Sequence, residues 1–73
     1  SYIMKNEKLT KLSIGDLVNY EKATRAAMLR YENMIKRYDG AIITEGDDYA
    51  KYDRLNKIYQ SILSEMEKRV LSL

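Results

Sequence analysis

Two stretches of the chain carry apolar residues at alternating steps of three and four. The first runs Leu17, Tyr20, Thr24, Ala27, Tyr31, Met34 and Tyr38, widened on one side by Met28 and Ile35. The second runs Tyr52, Leu55, Tyr59, Ile62, Met66, Arg69 and Leu73, flanked by Leu63 and Val70. That spacing returns to one face of an α-helix, and it predicts helices over about 14–39 and 48–72. Each has about 25 residues and a length of roughly 37 Å at 1.5 Å per residue. A connection over 40–47, holding Gly40 and Gly46, is too short for anything but an antiparallel hairpin.

Local signals agree with these bounds. Ser13 suits an N-cap, with Asp16 three positions on in a weakened capping box and Leu12 facing Leu17 as a staple. Gly40 is the expected left-handed C-terminal cap of the first helix. Glu21/Arg25, Glu32/Lys36, Asp53/Lys57 and Glu65/Arg69 are acid-then-base pairs at i,i+4, worth a few tenths of a kcal/mol each. Arg69 is the one charged position of the second stripe, so the seam is expected to open to solvent there. Ser13-Ile14-Gly15-Asp16 and Thr44-Glu45-Gly46-Asp47 look alike 31 residues apart. The stripes do not follow that offset, and two similar helix starts explain the match without a duplication.

Residues 1–12 form a separate N-terminal arm. Tyr2, Ile3, Met4, Leu9 and Leu12 are apolar while Lys5, Lys8 and Lys11 recur every third residue, a pattern that favours a short helical arm.

Composition narrows the function more than it names it. At 73 residues the chain is one domain, and a core this small usually needs a disulfide, a metal or association with another chain. With no Cys and no His, disulfides, thiolate sites and the commonest metal ligand are excluded, and so are the usual neutral-pH base and thiol nucleophile. The acids Asp39, Glu45, Asp47 and Asp48 are the only dense carboxylate cluster. A hairpin tip offers no desolvated cleft to separate their pKa values, and their spacing does not match a calcium loop. The expectation is therefore a protein that is not an enzyme, with no cofactor, metal or small-molecule substrate. The longest apolar run is Ala41-Ile42-Ile43, and the first residues hold no apolar stretch of signal-peptide length. An intracellular, cytoplasmic setting without a membrane span is the matching expectation.

Charge is unevenly placed. Residues 1–12 carry three Lys and one Glu, a balance of +2, while residues 39–48 carry four acids and no base, a balance of −4. The hairpin is thus acidic at its tip and basic at its open end, although acids also suit the start of the second helix through its dipole. A nucleic-acid role for Lys5, Lys8 and Lys11 is the alternative reading, since seven Tyr offer stacking surfaces. Against it, basic residues on the helices alternate with acids, whereas phosphate binding needs several cations acting together.

The width of the stripes decides between these. Two helices cannot cover Met28, Ile35, Leu63 and Val70 as well as their own seam, and Ile42 and Ile43 place apolar side chains inside the turn. Tyr and Met in such positions favour interfaces. The sequence therefore predicts an all-α, antiparallel two-helix hairpin with a short N-terminal arm, completed by oligomerisation into a helical bundle. Met28, Ile35, Ile42, Ile43, Leu63 and Val70 are its candidate interface residues. The expected function is that of a small structural or adaptor subunit, in a homo-oligomer or a larger assembly such as a viral particle.

Overall fold

The computed structural model describes residues 6–73. The fold is all-helical: α1 spans Asn6–Leu9, α2 spans Ile14–Ile35 and α3 spans Asp47–Leu71, with α2 packed against α3 and α1 against α3. Ser13 caps α2, its Oγ accepting from the Asp16 amide at 3.1 Å. Acids stand in the first turn of α3 (Asp47, Asp48) and bases in its last (Lys68, Arg69), both matching the helix dipole. The predicted pairs Glu21–Arg25, Asp53–Lys57 and Glu65–Arg69 form.

Helix α2 stops at Ile35, four residues short of the predicted end. Lys36 takes extended backbone and pairs as an isolated antiparallel bridge with Ile42, which removes the expected Glu32/Lys36 helix pair. The Arg37 amide donates to the Ala41 carbonyl at 2.8 Å, the Gly40 amide to the Arg37 carbonyl at 2.9 Å, and the Ile43 amide to the Ile35 carbonyl at 2.8 Å. Asp39 Oδ1 accepts from the Ala41 amide at 3.0 Å. This is a three-residue hairpin turn, Tyr38-Asp39-Gly40, closed by a left-handed glycine. Gly40 does have φ 92°, but it serves this turn rather than a helix end. A Cβ there would meet nothing within 4 Å, so the demand for glycine is purely conformational.

The core lies at the open end of the hairpin. Leu9, Leu17, Ile58 and Ile62 form one buried cluster, with Leu12, Tyr20 and Met66 packed against it. The arm is thus a structural third element: Leu9, from α1, is almost as deeply buried as Leu17 and Ile62 of the long helices. Ile35 is buried separately near the tip, at 2% exposure. Its place follows from geometry, because the 18 residues from Leu17 to Ile35 make five turns of 3.6 and return to one face. A strict 3.5-residue repeat drifts about 20° per heptad on a straight helix, and that drift leaves Met34 exposed, while Tyr38 is exposed because it stands in the hairpin turn beyond the helix end.

The seam of α3 is rotated in the same way. Ile58, Ile62 and Glu65 are its buried residues, while Tyr52, Leu55, Tyr59 and Met66 are half-buried and Leu73 is exposed. The molecule is elongated, 44 × 24 × 17 Å, with a radius of gyration of 14.0 Å. A compact chain of this length has about 11 Å.

Candidate interaction surface

The sequence places hydrophobic side chains on more of α3 than α2 can cover. At 100° per residue Tyr52, Leu55, Tyr59, Leu63 and Met66 fall within an arc of about 80°, set to one side of the buried seam. Val70 and Leu73 continue that arc toward the C-terminus. Leu63 is 37% and Val70 65% exposed. Ile14, at the start of α2, joins Met66, Arg69, Val70 and Leu73 around an open apolar depression of about 530 Å³. At the opposite end, Ile42 and Ile43 are exposed on the tip hairpin. A second, smaller depression of about 240 Å³ is polar, lined by Gln60, Ser61, Ser64, Glu65 and Lys68.

The predicted interface residues therefore divide. Leu63, Val70, Ile42 and Ile43 are exposed, and Met28 is half-buried. Ile35 is corrected: it is enclosed within the chain at 2% exposure and belongs to the fold, where the returning segment after Gly40 pairs with its backbone through the Ile43 amide. Ile14 carries no sequence signal of an interface, and Leu73 was expected in the seam of the second helix rather than on this surface. Ile14 stands directly after the Ser13 cap, outside the 3-4 stripe, and only the packing of the two helix ends brings it beside Val70. Lys8 and Lys11 are exposed on the arm, and Lys5 lies outside the described residues.

Arg69 is the largest departure from the sequence-based expectation. Its Nε bonds Glu65 Oε2 at 2.9 Å, and its Nη2 donates to the carbonyls of Leu9 at 3.0 Å and Leu12 at 2.7 Å. The two side chains are only 25% and 9% exposed. The seam does not open at Arg69. The guanidinium fork adds a second donor to the Leu9 carbonyl, which also takes the Leu12 amide, and satisfies the Leu12 carbonyl beyond the end of α1, and so fastens the arm over the core. Among the described residues no buried side-chain polar atom lacks a partner.

A second polar tie crosses the hairpin. The Tyr59 hydroxyl donates to Glu21 Oε2 at 2.8 Å, and Glu21 also pairs with Arg25 at 3.0 Å. The bond to the Glu21 carboxylate, aided by burial, pushes the Tyr59 phenol above its usual 10.0. Burial alone raises Tyr20. A folded-state pKa above the unfolded one means that the bond's stabilisation is fully present below about pH 10 and is lost as pH rises through the raised value. The stability difference between wild type and Tyr59→Phe should accordingly shrink in that range, as read by urea denaturation across alkaline pH. A difference that stays constant would show that the phenol keeps no such bond.

Three further tyrosines make ring contacts. Lys51 Nζ lies 5.8 Å from the Tyr31 ring centroid, and the Tyr49 and Tyr52 rings meet at 6.4 Å. Among the described residues no three carboxylates gather as a metal site requires, and no helix is long and apolar enough to cross a membrane. Comparison with protein-family models, curated proteins and solved structures finds no match.

Proposed function

We propose that this chain is a non-enzymatic helical subunit that acts by docking the outer face of α3 against another polypeptide. The observation that carries this reading is the exposed apolar arc through Leu63 and Val70, continuous with the depression beside Ile14. An elongated hairpin with a four-residue buried cluster gains the burial that small folds lack when such a face is covered. The mixed tyrosine and aliphatic composition of the arc suits an interface, where a large ring and a hydroxyl are both useful. A subunit or adaptor of a larger assembly fits these properties.

A nucleic-acid role draws less support. Lys8 and Lys11 are exposed, but Arg69, the base that touches the arm, is committed to arm carbonyls.

The test is the size of the native assembly. Recovered under gentle conditions from its own source, the chain should elute well above its 8.6 kDa, and Leu63→Glu with Val70→Glu should release it. Elution at the size of one chain would overturn the proposal.

A further inference from the structure

The hairpin at the tip leaves one backbone edge open. Lys36 and Ile42 face each other as a bridge, flanked by the bonds from the Arg37 amide to the Ala41 carbonyl and from the Ile43 amide to the Ile35 carbonyl. In an antiparallel ladder a residue flanked in this way turns its own amide and carbonyl outward, away from the paired strand. Among the described residues nothing bonds the amide or the carbonyl of Ile42, and the Thr44 amide, two residues on, is equally unbonded.

The side chains of this segment are accessible as well. Residues 41–44 are all exposed, Ile42 by 41% and Ile43 by 43%. Such edges are ordinarily guarded by lysine, proline or a covering element. Ala41-Ile42-Ile43-Thr44 has neither charge nor proline, and only its shortness limits what can pair with it.

Charge decides between occupants. The acids Asp39, Glu45, Asp47 and Asp48 border the segment. Asp39 has Arg37 at 3.8 Å, while the other three have no ion pair among the described residues. Lys36 and Arg37 stand on the paired strand, across the bridge from the open edge, and Lys51 lies over the Tyr31 ring. A second copy added antiparallel about Ile42 would bring Asp39 of each chain opposite Glu45 of the other, and like charges so placed repel. A strand with lysine or arginine three positions to either side of the residue facing Ile42 meets acids at both ends instead.

We propose that the tip is a strand-addition site for an extended segment of another polypeptide, β-branched at its centre and basic at its flanks. The partner residue opposite Ile42 exchanges two backbone bonds with it, accepting from its amide and donating to its carbonyl. This site is separate from the α3 face and does not depend on it.

The probe is a capped seven-residue peptide with three central valines, a threonine on each side and a lysine at both ends. Titrated into the isotopically labelled full chain, it should shift the Ile42 and Thr44 amide resonances first and slow their hydrogen exchange. Ile42→Pro should weaken binding about tenfold or more, because the ring removes the donor. The Ile42 amide holds nothing within the chain, so helicity and protection of the Ile43 amide should persist in that variant. Glu45→Lys with Asp48→Lys should weaken binding about tenfold at low salt and less at high salt. The same peptide with glutamate for lysine should reverse that preference and bind the charge variant better than wild type. Leu63→Glu with Val70→Glu should leave peptide binding unchanged.

Equal binding by Ile42→Pro would overturn the proposal, and so would equal affinity for the lysine and glutamate peptides. If proline disturbs the hairpin, the charge variant and the two peptides still decide. Shifts centred on Leu63 and Val70 would assign the peptide to the α3 face and remove the tip site. The absence of any shift at millimolar peptide would remove it too. Shifts of the Ile42 and Thr44 amides on concentrating the protein alone would show that the edge takes a second copy.

Discussion

Ile62→Ala should destabilise the fold by about 3–4 kcal/mol, and Leu63→Ala, one residue along, by less than about 1 kcal/mol in the monomer. Ile62 is 0% exposed in the buried cluster that joins α1, α2 and α3, whereas Leu63 is 37% exposed. Truncating Ile62 removes three carbons from that cluster and leaves a cavity lined by Leu9, Leu17 and Ile58. A domain of this length has a total stability on the order of 4–11 kcal/mol, so the loss consumes a large share of it. Urea denaturation followed by circular dichroism, at concentrations low enough to suppress association, checks both values. Equal losses at the two positions would mean that the seam of α3 runs elsewhere.

Arg69→Met should cost about 2–3 kcal/mol although the aliphatic stem is kept. The substitution removes three bonds, leaving two arm carbonyls and a Glu65 carboxylate, itself 9% exposed, with no cationic partner. A stranded buried charge costs more than the pair itself contributes. Changing both members, Glu65→Leu with Arg69→Met, should therefore recover part of the loss. Arg69→Lys should not rescue the fold, because an ammonium cannot present the planar fork that spans Glu65 and both carbonyls. Hydrogen exchange gives a readout specific to the arm: the Lys11 and Leu12 amides, which bond Lys8 and Leu9 carbonyls, should lose protection first. Unchanged protection of these amides would show that the arm is held by Leu9 packing alone.

Much of the hairpin could be read from local chemistry. The start of α2 follows from Ser13 and Asp16, and the existence of two helices follows from their apolar spacing. The end of α2 was legible too, but in a different signal. Asp39-Gly40 followed by Ala41-Ile42-Ile43 is a hairpin-turn sequence with β-branched residues behind it, and the helical stripe reaching Tyr38 masked it. The two seams were displaced because a 3.5-residue repeat was imposed on helices that turn at 3.6, so Ile35 and Ile58 are enclosed where Met34 and Leu73 are not. Arg69 could not be placed from spacing at all. Its partners are carbonyls 57 and 60 residues away, and backbone acceptors leave no mark in side-chain pattern. The same holds for Tyr59 and Glu21, which are 38 positions apart.

The Arg69 fastening also makes the arm depend on contacts distant in sequence. Leu9 precedes α2, yet Arg69, which bonds its carbonyl, lies 60 residues further on. Leu9 therefore gains its native partners on α3 only when the hairpin has closed, because loop-closure entropy must be met before such contacts form. Until then α2 can take up its helix, but its apolar side waits uncovered. The arm accordingly docks late in folding, on a surface that the two long helices have already made.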